Sequence, residues 1–182
     1  PLVVHMMPFI RPLQIRKFYP EQEIVTYEDA VRVVLDNSDI DGSIRNVLVC
    51  HQFVTGAEVS DSEEFAVGGL DCIDASVFDA FDYVALGHLH KPQKVRREAM
   101  RYAGSPMKYS LSEANHRKSV TLIDRGEKGE PPEIRLLPLE APRDVREVRG
   151  TMAEVMAMDY SEDYVKVTLT DEMVPPDARV TV

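Results

Sequence analysis

The sequence predicts an α/β fold, and three features of the chain support that prediction. Residues 46–50 form an apolar, β-branched run that is typical of a buried central strand, and residues 82–86 form a second run of this kind. Residues 26–36 carry apolar side chains at helical spacing. Strands that alternate with helices in this way indicate a sheet that is covered by helices.

The amino-terminal part is predicted to contain a strand, a helix and a second strand. Residues 2–9 are mainly apolar and predict a buried strand, which prolines then separate from the helix. Thr26 is a suitable N-cap for that helix, and Asp29 stands at the capping-box position. The strand at 46–50 then ends abruptly in His51.

The carboxyl-terminal part is predicted to change to shorter, antiparallel strands. A short helix at 74–81 precedes the strand at 82–86, which runs into Gly-His-Leu-His at 87–90. Alternating runs then predict antiparallel strands at 95–97, 100–103, 119–124 and 133–137. Beyond the prolines at 138 and 142, a strand–helix–strand pattern at 144–148, 151–158 and 164–169 predicts the start of a smaller second domain.

The composition is that of a globular protein. The chain has 182 residues, of which 44% are hydrophobic and 29% are charged. Only Cys50 and Cys72 are present, without a C-x-x-C spacing, so a disulfide framework is excluded and a reducing cytoplasm is expected. No apolar run reaches about 18 residues, so we expect no membrane-spanning helix.

The formal net charge of −10 hides two neighbouring segments of opposite sign. Residues 51–82 contain eight acidic residues and no lysine or arginine, whereas residues 91–118 contain eight basic and two acidic residues. Bulk charge alone argues against nucleic-acid binding, but the local charge of +6 in the second segment does not. Two solvated surfaces of different sign remain the simpler alternative.

Three of the five histidines follow predicted buried strands. His51 follows one strand, and His88 and His90 follow the next, with Gly87 before them. Ligands of open α/β sheets gather at the carboxyl ends of strands, and imidazole is a common metal ligand. A single histidine at a strand end is more often structural, but this combination predicts a metal site.

Five sequence blocks lie at residues 46–56 (NVLVCHQFVTG), 67–71 (VGGLD), 83–93 (YVALGHLHKPQ), 102–107 (YAGSPM) and 112–116 (SEANH). Together they resemble the SbcD-type nuclease subunits of the calcineurin-like metallophosphoesterase family. Gly-His-x-His alone is shared by many metallophosphoesterases. The last two blocks are the more specific ones.

The resemblance implies a four-layer α/β sandwich with a two-metal site, usually manganese, that hydrolyses DNA phosphodiester bonds. By motif match, His51 and His88 would bind one metal ion and His90 the other. The resemblance also implies DNA, an SbcC-type ATPase and a second nuclease subunit as partners, and a role in DNA repair, recombination and replication. Basic residues beside the motif are the candidates for phosphate contacts, namely Lys94, Arg96, Arg97 and Lys108.

The family's Asp-x-His and Gly-Asn-His-Asp motifs do not occur in this sequence. We therefore expect residues 1–138 to be the carboxyl-terminal portion of the nuclease domain and residues 139–182 to begin a capping domain. The general acid would be missing, no catalytic residue is assigned, and the chain alone is expected to be inactive. Another binuclear-metal phosphoesterase and a non-catalytic interaction module are the alternative functions.

Overall fold

A computed structural model of the chain describes residues 1–59, 63, 71–124, 126–173 and 175. Short 3₁₀ turns occur at Ala75–Phe78 and Leu111–Glu113. In chain order, the helices and strands are β1 (Leu2–Met7), α1 (Pro12–Ile15), α2 (Tyr27–Asp36), β2 (Arg45–His51), β3 (Phe53–Val54), β4 (Cys72–Ile73), β5 (Tyr83–Gly87), β6 (Gln93–Val95), β7 (Arg97–Tyr102), β8 (Ser119–Asp124), β9 (Glu133–Pro138), β10 (Val145–Gly150), α3 (Met152–Met156) and β11 (Tyr164–Leu169).

The main sheet has five strands in the order β1-β2-β5-β7-β6. All neighbours are parallel except β6 and β7, which pair antiparallel. The two apolar runs of the sequence are therefore adjacent central strands, with His51 paired to Gly87 at their ends. The α/β class is confirmed, and β7 joins the parallel part of the sheet rather than a separate antiparallel layer.

One face of the main sheet carries the core. Residues paired across parallel strands point to the same side, so the register places their side chains in rows. Two rows on this face are almost completely buried and consist of Leu48, Val84 and Met100, followed by Cys50, Leu86 and Tyr102. The other face is more open, since Val49 is 44% exposed and Met6 on the edge strand is 83% exposed.

Helix α2 begins where the sequence predicts. Thr26 Oγ1 accepts a hydrogen bond from Asp29 N at 3.1 Å, and Asp29 Oδ2 accepts one from Thr26 N at 2.8 Å. This reciprocal capping box satisfies two backbone donors that the first helical turn would leave unpaired. The helix buries Ala30 and Val31 completely against the core.

The rest of the chain forms smaller units. Strands β8 and β9 form an antiparallel hairpin, and β8 lines a cavity together with Tyr83 and Ala85 on the open face of the main sheet. Strands β10 and β11 pair in parallel, with α3 between them in the chain. Thr151 and Glu154 form the capping box of α3, as the sequence predicts.

Two of the predictions lie partly outside the described residues. They are the sequence block at 67–71, of which only residue 71 is described, and the capping domain at 139–182, whose last seven positions are not described. Within the described part, no helix is long and apolar enough to cross a membrane.

Candidate functional site

The three predicted metal ligands lie at the carboxyl end of the two central strands. His51 is the last residue of β2, and His88 and His90 follow the end of β5. The register pairs His51 with Gly87, so the chain places His88 directly beside His51.

Gly87 leaves the space that the ring of His51 occupies. A Cβ atom built on Gly87 would lie 2.8 Å from His51 Nδ1, a distance that real Cβ contacts essentially never show. Any side chain at this position would therefore push the His51 ring away from the strand end. The glycine of the Gly-His-x-His motif is thus explained by close packing.

The rings of His51 and His88 are in contact. Their centroids are 4.9 Å apart and the ring planes are 81° from parallel. Phe53 packs edge-on against His88 with ring centroids 4.0 Å apart, and the Phe9 ring lies nearly parallel to that of His88 with centroids 5.8 Å apart. Two imidazoles therefore share a partly apolar wall of aromatic rings.

His88 has two unusual properties. Its φ angle is 109°, which places a non-glycine residue in the left-handed half of the backbone map, where conformations cost roughly 1–3 kcal/mol and cluster at functional sites. Burial lowers the pKa of His88, the neighbouring His51 lowers it further, and Glu63 and Asp71 oppose the shift. The neutral imidazole that results is the form that binds metals.

His90 is held by a different part of the chain. Its Nδ1 lies 2.9 Å from Glu113 Oε1, and its ring packs against Tyr109 with centroids 5.4 Å apart. Its backbone N–H donates to the Glu63 carboxylate. The structure thus brings His51 and His88 into ring contact and directs His90 toward the segment around residues 109–113.

Residues of the block at 102–107 support the end of the sheet at which the histidines lie, through contacts that the residue types alone do not indicate. The Tyr102 hydroxyl donates to Gln52 O at 2.8 Å and accepts from Val54 N at 2.8 Å, which ties down the chain just after His51. Ser105 N donates to His90 O at 3.1 Å. The only sequence signal for these contacts was the block itself.

The four basic residues predicted to bind DNA do not form one cluster. Lys94 and Arg96 have exposed side chains, 60% and 49%, and pair with Glu98 and Asp79 respectively. Arg97 donates to the carbonyls of Phe78 and Phe81 just before β5. The histidines lie at the carboxyl ends of the parallel strands. Arg96 and Arg97 lie where β6 ends and β7 begins, so they are at the opposite ends of these strands, away from the histidines.

Lys108 is also committed to contacts within the protein. Its side chain is only 9% exposed, and its Nζ donates to Ala114 O at 2.6 Å and to Asp144 Oδ2 at 2.9 Å. Among the four candidates, Lys94 and Arg96 are therefore the ones whose charged groups face solvent.

The described residues fit the nitrogen part of a metal site. His51 and His88 offer adjacent imidazoles, and His90 makes the carboxylate hydrogen bond that is typical of metal-ligating histidines. Over residues 1–59, 63, 71–124, 126–173 and 175, however, no three His, Cys, Asp or Glu side chains form a group that could hold a metal ion. Manganese prefers oxygen ligands in addition to imidazole, so these residues supply part of such a site.

Comparison with known proteins identifies a curated nuclease subunit among the relatives of this chain. The chain is 30% identical over 153 residues to the SbcD subunit of the nuclease SbcCD from Staphylococcus epidermidis, an alignment that covers 82% of this chain and 41% of that protein. The resemblance to SbcD-type nucleases is therefore confirmed, and the chain spans about two fifths of the length of this relative. No family model matches the chain.

Proposed function

We propose, with the similarity to an SbcD nuclease as the premise, that this chain supplies part of a DNA nuclease that hydrolyses phosphodiester bonds with two metal ions. The observation that carries the proposal is the position of His51, His88 and His90 at one edge of the parallel sheet. In this proposal the fold is part of a metallophosphoesterase sandwich over residues 1–138, followed by the start of a capping domain over residues 139–182.

The histidines have separate tasks in this proposal. His51 and His88 bind one metal ion through their imidazole rings, and His90 binds the second. When bound, a pair of ions, manganese by family resemblance, stabilises the attacking and leaving oxygens of the phosphodiester. Gly87 and Tyr102 keep the His51 segment in place, and the aromatic rings of Phe9 and Phe53 limit the rotation of His88.

DNA contacts in this proposal follow the outer strand β6. Gln93, at the start of β6, pairs with Tyr102 near the histidines. The exposed side chains of Lys94 and Arg96 follow along this outer strand, at increasing distance from the histidines. Contacts of these two side chains to phosphates would be independent of base sequence and sensitive to salt. An SbcC-type ATPase and a second nuclease subunit are the partners that the similarity suggests.

The test begins with the coding sequence upstream of Pro1. An Asp-x-His and a Gly-Asn-His-Asp motif there would supply the remaining ligands, and the encoded protein is expected to degrade end-labelled duplex DNA with Mn²⁺. His90→Ala should reduce that activity to background, and the 182-residue chain alone should show background cleavage only. Strong activity on a small phosphoester but not on DNA would instead support another phosphoesterase. Absence of the motifs and of activity would support a non-catalytic module.

A further inference from the structure

A buried ion pair lies directly beside His90. Glu113 is completely buried, the Lys118 side chain is 4% exposed, and Lys118 Nζ lies 2.7 Å from Glu113 Oε2. Replacing buried ion pairs by apolar residues is often neutral or stabilising, so a contribution to stability does not by itself explain such a pair. Its contacts point to a further role.

The pair holds both the ring and the backbone of His90. Glu113 Oε1 lies 2.9 Å from His90 Nδ1, while Lys118 Nζ donates to His90 O at 2.8 Å. Lys118 Nζ also donates to Ser105 Oγ at 2.7 Å, and Ser105 N donates to the same His90 carbonyl at 3.1 Å. Polar contacts of this kind are not needed to fill a core, because apolar side chains would do so without buried charge.

The direction of each hydrogen bond in this cluster follows from chemistry. An ammonium group has three donors and no acceptor, and Lys118 directs them to His90 O, Ser105 Oγ and Glu113 Oε2. A carboxylate paired with it in this way only accepts, so the bond between Glu113 and His90 requires the proton on His90 Nδ1. In the neutral ring, the lone pair then lies on Nε2.

We propose that Glu113 and Lys118 are positioning residues that hold His90 in the Nδ1–H form, so that Nε2 is the donor atom for a divalent cation. The inference rests on the proposed function for the identity of that cation, but the selection of one ring form is a property of the chain alone. Hydrogen bonds from ligand histidines to carboxylates commonly orient the ring and select its tautomer.

Glu113→Gln gives a sharp prediction for the tautomer. Lys118 still requires an acceptor, so the Gln oxygen turns to Lys118 and the amide NH₂ donates to His90 Nδ1. The proton of the ring then moves to Nε2, the opposite form from that in the wild-type chain. A Glu113 that does not accept a hydrogen bond from His90 Nδ1 would produce no such inversion.

The experiment is a two-bond ¹⁵N–¹H correlation spectrum of the histidine rings in the metal-free chain. His5, whose Nε2 lies 2.9 Å from Asn46 Oδ1, serves as the internal reference. We expect the Nδ1–H form of His90 in the wild type, the Nε2–H form in Glu113→Gln, and no change in Glu98→Gln, an exposed carboxylate that pairs with Lys94. If the single variant unfolds, Glu113→Gln with Lys118→Met removes both charges and is expected to give a mixture of the two forms.

A Mn²⁺ titration provides a second readout. In the longer protein that carries the upstream metal motifs, paramagnetic broadening of the His90 ring signals should require about 10–100-fold more Mn²⁺ in Glu113→Gln than in the wild type. An Nε2–H wild-type ring, or a Glu113→Gln ring that keeps Nδ1–H, overturns the inference. Inversion of the tautomer in this chain, combined with no nuclease activity in the longer protein that carries the upstream metal motifs, would support the inference and contradict the proposed function.

Discussion

Replacing Tyr102 with phenylalanine tests how firmly the chain beside His51 is held. The substitution keeps the ring in the core and removes a hydroxyl that donates to Gln52 O and accepts from Val54 N, both at 2.8 Å. Val54 is 3% exposed, so its N–H would be left without an acceptor, which costs about 1–3 kcal/mol. The lost bond to Gln52 O adds roughly 0.5–1.5 kcal/mol.

The expected loss for Tyr102→Phe is therefore about 1.5–4.5 kcal/mol in the free energy of unfolding. For a chain of this length, each kcal/mol shifts the melting temperature by roughly 2–4 °C, so a decrease of roughly 3–18 °C is expected. Urea and thermal unfolding followed by circular dichroism measure both quantities. Tyr160→Phe, at a side chain that is 90% exposed, is the matched control and should stay within about 0.5 kcal/mol of wild type.

The same variant has a pH signature. Burial raises the pKa of Tyr102 above its ordinary value, although the bond from Val54 N–H opposes the shift. Above pH of about 10 the unfolded chain loses this proton and the folded chain keeps it, so wild-type stability falls as pH rises. The Phe variant lacks this loss, and the difference between the two proteins should narrow. A cost below about 1 kcal/mol at neutral pH, or a difference that stays constant up to a pH of about 11, would refute the reasoning.

Three further predictions follow from single contacts. Gly104→Ala should lower the melting temperature, because φ is +78° and a Cβ atom would lie 2.6 Å from the ring of Pro92. The left-handed backbone alone costs about 1–2 kcal/mol in the free energy of unfolding. An unchanged melting temperature would contradict the close packing. Alkylation at a pH of about 8, read by mass spectrometry, should modify Cys72 well before Cys50, since burial raises the pKa of the Cys50 thiol to about 12; equal rates would contradict this difference. Lys94→Gln and Arg96→Gln should each weaken binding to duplex DNA. Each should also reduce the slope of the logarithm of the binding constant against the logarithm of the salt concentration by about 0.9, while the control Lys166→Gln on β11 should not. An unchanged slope would favour a solvated surface.

Local chemistry was sufficient to predict the central strands and the helix caps. The strand predicted to be buried at residues 2–9 is β1, an edge strand with mostly exposed side chains, because no described strand covers its outer side. The short strands β3 and β4 were not predicted. Apolar β-branched runs predicted the two central strands, and Thr26 with Asp29 predicted the start of α2, because these signals depend on neighbours in the chain. The position of His51 and His88 at one sheet edge also followed, since parallel strands end on the same side.

Contacts between distant segments were decided by the tertiary structure alone. A basic run at 91–118 suggested one surface, but the antiparallel turn between β6 and β7 places Arg96 and Arg97 opposite the histidines, and Lys108 is buried against Asp144. No local pattern could show these outcomes, because they depend on strand order and register rather than on spacing along the chain.

The sequence by itself thus determined which elements form and which histidines meet at the sheet edge. Only the tertiary structure decided what holds those histidines. Glu113 lies 23 positions from His90 in the chain, with β6 and β7 between them. The hydrogen bond of 2.9 Å between them exists only once these strands have folded and the chain has returned to the histidine. Hydrogen bonds of this kind depend on distance and direction in space, which residue order does not encode locally.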